Sequence, residues 1–162
     1  MEVGLDPARA PLALARRRGI RAVAGAGEFL PFGSGMFGAV LLVVTLCFVH
    51  DPAAVLAEAR RVVAPGGAVV LGIVPAESPW GRRYRSLADA GHPYYRQARF
   101  FTTEQVTAAL AAADLSVSCI RSSLLWPPEA SPPSEWRVLE GSDPRAGFAA
   151  VLAVPASPPG QP

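Results

Sequence analysis

Apolar residues run almost unbroken from Gly38 to Val44 and again from Ala68 to Val74. Runs of this length, rich in Val and Leu, predict strands covered on both faces, as in a parallel sheet. Between them the pattern changes period. Val55, Leu56, Ala59, Val62 and Val63 recur at helical spacing, while Glu58 and Arg61 fall off that face. Asp51 offers an N-cap oxygen, and Pro52 suits the first helical position, where a missing N–H costs nothing. Pro65-Gly66-Gly67 stops the helix and turns the chain. The stretch Phe37–Val74 is therefore a strand, a crossover helix and a parallel strand.

The flanks extend the alternation. Glu2 to Asp6 reads as the end of a strand, with Asp6 capping a helix that Pro7 opens and Arg16-Arg17-Arg18 closes; Pro11 delays its regular part. Ile20–Ala24 is a short strand, followed by the loop Gly25-Ala26-Gly27-Glu28 and an apolar Leu30-Pro31-Phe32. After Val74, Pro75–Gly81 is a loop beyond a strand's carboxyl end, the edge where open α/β sheets bind ligands. Arg82–Ala90 predicts a helix. Thr102 with Gln105 has capping-box spacing and opens another through Ala113. Leu115–Ile120 alternates like an edge strand, 125–144 is a Pro-rich crossing, and Phe148–Val154 is a last buried strand. The expected fold class is α/β, a doubly wound and mostly parallel sheet whose last strand runs antiparallel. Residues 1–154 are expected to form a single domain, and 155–162 a Pro- and Gly-rich tail too poor in apolar surface to order.

Composition narrows the chemistry. The 162 residues are 51% hydrophobic and 17% charged, which predicts a folded core. Every basic side chain apart from two histidines is Arg, and the net charge of +2 is too small to argue for a nucleic-acid partner. Cys47 and Cys119 have no metal-ligand spacing, so no metal site is expected, and Cys47 reads as a buried thiol. His50 and Asp51 end the longest apolar run before it could span a membrane, and no signal-peptide pattern opens the chain; the expected setting is cytoplasmic.

Taken in order, VGLDP at 3–7, VAGAGEFLPF at 23–32, FGAVLLVVTLCFV at 37–49, ARRVVAPGGAVVLGIV at 59–74 and FFTTEQVTAALAAADL at 100–115 resemble the class I S-adenosylmethionine-dependent methyltransferases, specifically their type 11 group. The resemblance implies a Rossmann-like sheet of strand order 3-2-1-4-5-7-6 with strand 7 antiparallel, and S-adenosylmethionine as cofactor. It assigns Asp6 to the ribose hydroxyls, which a carboxylate accepts in pairs. It assigns Ala26, Gly27 and Glu28 to the adenine, and the segment near Thr45 and Leu46 to the methionine part. His92, Tyr94 and Tyr95 fall where relatives build the pocket for the methyl acceptor, here expected to be a small molecule. In-line alignment with the sulfonium methyl does most of the catalytic work, so no catalytic dyad is required.

Three departures from the family accompany the resemblance. Family strand 1 and its glycine-rich loop are absent and would precede Met1, so a truncated N-terminus is expected. Ala26 stands where an Asp usually bonds the adenine amino group, and Gly38 where an Asp usually opens strand 4. Without family strand 1, either strand 2 closes directly against strand 4 or an edge is left unpaired. Two further readings stay open: a non-catalytic relic or interaction module of the same fold, and a nicotinamide-binding Rossmann protein.

Overall fold

A computed structural model describes residues 2–156. Its elements are β1 (Gly4–Asp6), α1 (Arg9–Arg17), β2 (Ala22–Ala24), β3 (Phe37–Val43), α2 (Pro52–Val62), β4 (Val63–Ile73), α3 (Pro79–Asp89), a 3-10 turn (Tyr95–Gln97), α4 (Thr103–Ala112), β5 (Leu115–Ser123), β6 (Leu139–Glu140) and β7 (Phe148–Pro155). The strands form two sheets. β1 pairs with β2 in parallel, and a second sheet runs β3-β4-β7-β5-β6. β3 and β4 are parallel, whereas β7 is antiparallel to both β4 and β5. The α/β class and the antiparallel last strand are thus as the pattern predicts.

Local chemistry explains most of the boundaries. Oδ1 of Asp51 accepts from the N–H groups of Ala53 and Ala54 at 3.0 and 3.1 Å, so α2 begins where Asp51-Pro52 predicts. Thr102 and Gln105 form a reciprocal capping box at α4. α2 and α4 lay Val55, Leu56, Ala59, Val106 and Leu110 on the sheet, where Val69, Leu71, Val151 and Ala153 complete the core.

The structure corrects four expectations. Asp6 does not cap α1: the N-cap is Ala8, and Oδ1 of Asp6 instead accepts from the Ala8 N–H at 2.7 Å in the extended approach to the helix. Pro11 falls in the first turn of α1, where helical N–H groups lack intrahelical partners anyway. α3 starts at Pro79 rather than Arg82, because the buried Ser78 side chain accepts from the Gly81 N–H at 2.9 Å and caps it. Pro65-Gly66-Gly67 lies inside β4 rather than between elements; Gly66 takes φ 74°, and the register against β3 slips between Phe37 and Ala39.

The fourth correction concerns β3, which is not covered on both faces. Val40 and Leu42 pack against the core, but Leu41 and Val43 on the other face are 69% and 47% exposed. The reason is topological. Among the described residues β1 pairs only with β2 and β3 only with β4, so strand 2 does not close against strand 4. The free edges of β1 and β3 open onto a cleft, so their amides meet water and escape the burial penalty of about 1–3 kcal/mol per unpaired group. The expected tail falls mostly at 157–162, outside the described residues, while Pro155 closes β7.

Two substitutions separate the faces of this sheet. Leu56→Ala, in a fully buried site, is expected to cost about 2–5 kcal/mol. Leu41→Ser, on the open face, should stay within about 0.5 kcal/mol of the parent. Urea unfolding followed by circular dichroism checks both.

Candidate functional site

A cleft of about 790 Å³ lies between the edges of β1 and β3. Its lining gathers Asp6 at the carboxyl end of β1, Ala26, Gly27 and Glu28 after β2, and Thr45 after β3. Residues up to 39 positions apart thus meet because parallel strands put their carboxyl ends at one edge. Leu30, Phe32, Val55 and Ala59 supply apolar walls.

Three side chains hold the wall formed by residues 25–37 against α2. Glu28 Oε1 accepts from the N–H groups of His50 at 2.9 Å and Asp51 at 3.3 Å. Glu58 Oε2 accepts from the Leu30 N–H at 2.7 Å. The Arg61 guanidinium donates to both Glu58 oxygens, at 2.6 and 2.7 Å, and to the carbonyls of Phe32 and Leu30. Beneath them Gly27 sits so close to α2 that an added Cβ would lie 3.2 Å from Val55 Cγ2. The Glu28 carboxyl is held below its ordinary value, first by its own backbone N–H and then by those of Asp51 and His50, against an opposing effect of burial. The Glu58 carboxyl is lowered chiefly by the Arg61 guanidinium.

The carboxylate of Asp6 has a different character. One oxygen takes the Ala8 N–H, and the other has no hydrogen-bond partner among the described residues. It keeps acceptor capacity at the cleft, which suits a vicinal diol. Beyond β3 the backbone is strained: Val44, a β-branched residue, takes φ 50°, at a cost on the order of 1–3 kcal/mol. The Val44 N–H bonds the Gly72 carbonyl at 2.8 Å and holds the turn that delivers Thr45 to the cleft. Thr45 Oγ1 donates back to the Val43 carbonyl at 3.2 Å. Leu46 is buried in the core rather than in the cleft wall. Cys47 is half-buried rather than buried, and desolvation pushes its thiol up to about 11, away from the thiolate form that reacts.

His92, Tyr94 and Tyr95 do not line this cleft. His92 and Tyr84 both stack on Tyr95 at 4.7 Å between ring centroids, while Tyr94 is 76% exposed. The residues that sequence reasoning missed are Val44, Glu58 and Arg61. Nothing in a Val-rich strand signals a left-handed residue. The i, i+3 spacing of Glu58 and Arg61 was a visible signal for a pair, though not for its grip on Leu30 and Phe32.

A family model described as a methyltransferase domain, of type 11, matches residues 2–71. A crystal structure of a SAM-dependent methyltransferase from Thermotoga maritima, described as a possible histamine N-methyltransferase, is 32% identical with TM-score 0.88; the match covers 96% of this chain and 73% of that one. This chain belongs to the class I SAM-dependent methyltransferases. Their sheet order 3-2-1-4-5-7-6 maps onto β2-β1, a gap, and β3-β4-β7-β5, with the gap at family strand 1. An uncharacterized protein of Mycobacterium tuberculosis (strain H37Rv) is 43% identical over 151 residues, 93% of this chain and 53% of that protein. The chain spans about half the length of the curated relatives it matches. A geranyl diphosphate C-methyltransferase from Streptomyces coelicolor, solved with S-adenosyl-L-homocysteine, shares the fold at 13% identity and TM-score 0.65, covering 95% of this chain and 62% of that one. No helix among the described residues of this methyltransferase-family chain is long and apolar enough to cross a membrane.

The depressed Glu58 carboxyl gives a signed pH dependence. A lowered folded value means that its contribution to stability is fully present above the unfolded value of about 4.3 and is lost as pH falls through the lower folded value. Glu58→Gln should flatten the acid limb of stability below about pH 4.5 and loosen the Leu30–Phe32 wall. Urea midpoints of parent and variant across pH 3–7 check it, and equal acid slopes would contradict the role given to the pair.

Proposed function

We propose that the protein transfers a methyl group from S-adenosylmethionine to a small-molecule acceptor, with the cofactor in the cleft between β1 and β3. The observation that carries this reading is the convergence of Asp6, Ala26-Gly27-Glu28 and Thr45 on one cleft at the carboxyl ends of the strands. The residues present suit the group. Asp6 has a free acceptor oxygen for the ribose hydroxyls. Leu30 and Phe32 offer apolar surface to an adenine ring, with the backbone of Ala26 and Gly27 beside it. The Glu28 carboxylate is committed to the start of α2, so its contribution to adenine binding is through backbone and wall position. Thr45 borders the methionine end.

Bound there, S-adenosylmethionine supplies an electrophilic methyl on a sulfonium. The chain's part is to orient it, to exclude water with the apolar walls, and to align an acceptor lone pair with the methyl carbon. A parallel strand carrying a glycine-rich loop, seated between the free edges of β1 and β3, completes the cradle in this reading. Two unpaired thiols accord with a reducing, cytoplasmic setting.

A second reading is favoured by the same gap. A fold that lacks the pairing between β1 and β3 could be a non-catalytic relic that binds no cofactor. Calorimetric titration with S-adenosyl-L-homocysteine separates the two. The methyltransferase reading expects saturable heat, weakened about tenfold by Asp6→Ala through loss of charge-assisted hydrogen bonds. No heat at millimolar ligand, on protein folded by circular dichroism, supports the relic.

A further inference from the structure

α3 carries its charges in the wrong order for its own stability. Arg82, Arg83 and Arg85 crowd its middle, and Asp89 ends it, with no acidic residue in the first turn and no basic one in the last. The helix dipole favours the reverse arrangement. A second segment, after the helix, brings Arg96 and Arg99 to the same place. Arg82, Arg85, Arg96 and Arg99 line one open cleft of about 620 Å³, where Asp89 is the sole carboxylate in the lining. Among the described residues none of these four guanidiniums pairs with a carboxylate, whereas Arg61, Arg83, Arg121 and Arg145 all do. Four like charges facing one depression repel one another, and the Glu77 carbonyl that Arg82 reaches and the Phe101 ring under Arg99 offset this for only two of them.

The two arginine pairs are held in register by aromatic packing. Tyr95 stacks on Tyr84 of α3, and Phe100 lies 6.1 Å from the same Tyr84 ring, which fixes the segment bearing Arg96 and Arg99 against the helix. Phe100 also forms part of the cleft wall. The Arg99 N–H bonds the Cys47 carbonyl at 2.8 Å, tying the cleft to the segment 44–48. Thr45 and Phe48 of that segment line the cofactor cleft on its other side.

We propose that this arginine cleft binds the phosphate or diphosphate of the methyl acceptor. The assignment of the ligand as acceptor rests on the methyltransferase reading; the anion site itself does not. Guanidinium forks match phosphate oxygens in pairs, and four of them suit a multiply charged group better than a lone carboxylate. A further exposed basic run, Arg16-Arg17-Arg18, closes α1, but the chain's net charge of only +2 suits a small anion in the cleft and not a polyanion.

The test is calorimetric titration of inorganic pyrophosphate into the full chain without cofactor, at low salt. Saturable binding is expected, falling roughly tenfold or more in the double variant Arg85→Ala, Arg96→Ala and weakening steeply as sodium chloride is raised. Arg83→Ala removes a neighbouring charge that pairs with Glu129 outside the cleft, and it should leave the affinity within about twofold. Should the double variant lose its circular dichroism signal, Arg85→Gln and Arg96→Gln measured singly carry the same expectation. Absence of saturable heat, equal weakening by Arg83→Ala, or tighter binding of citrate than of pyrophosphate would overturn the proposal. Pyrophosphate heat from a protein that gives none with S-adenosyl-L-homocysteine would count against the cofactor reading and leave the anion site standing.

Discussion

The two sheets share no strand pairing, so their relation depends on the polar grip of α2 on the loop 25–37. Glu28 binds the backbone at the start of α2, and the Glu58–Arg61 pair binds Leu30 and Phe32 from the middle of it. This grip sets how far β1 stands from β3 and therefore whether a cleft exists. Hydrogen bonds of this kind are individually modest, about 0.5–1.5 kcal/mol net and more where one partner is charged. Their effect comes from converging on one short loop, with Gly27 letting the backbone approach Val55 beneath them. The core under α2 and α4 supplies stability; the grip supplies geometry.

The same arrangement explains how a cofactor fold can leave apolar side chains open to water. Leu41 and Val43 stand exposed on β3 because no element packs on that face among the described residues. An unpaired edge beside an exposed apolar face is a template for another strand. The cleft is thus the place where strand pairing is interrupted among the described residues, at the position that family strand 1 takes in methyltransferase architecture.

Much of the fold was legible in the chain because it is written in local chemistry. Asp51-Pro52 and the Thr102–Gln105 box start helices where they predict, and the order of elements carries the sheet topology. Coverage was not legible. An apolar run reports that a strand prefers burial, not that a partner is present, so Gly38–Val44 looked buried on both faces. Asp6 looked like a cap because Asp-Pro usually is one, yet the helix starts at Arg9 with Ala8 as its N-cap, and one oxygen of Asp6 is left for the cleft. The site was legible only as far as its strand ends. Val44 adopts a conformation its side chain disfavours, and Arg82, Arg85, Arg96 and Arg99 meet through aromatic stacking between segments, so periodicity could announce neither.

The central claim is that the cofactor lies between β1 and β3, contacted by Asp6, the loop 26–28 and Thr45. Amide hydrogen exchange with and without S-adenosyl-L-homocysteine tests it most directly. The account predicts slowed exchange in peptides spanning Gly4–Ala8, Gly25–Glu28 and Val44–Phe48, with α4 and β5 unchanged. Unchanged exchange across all three peptides at saturating ligand, or protection confined to the arginine cleft, would contradict it.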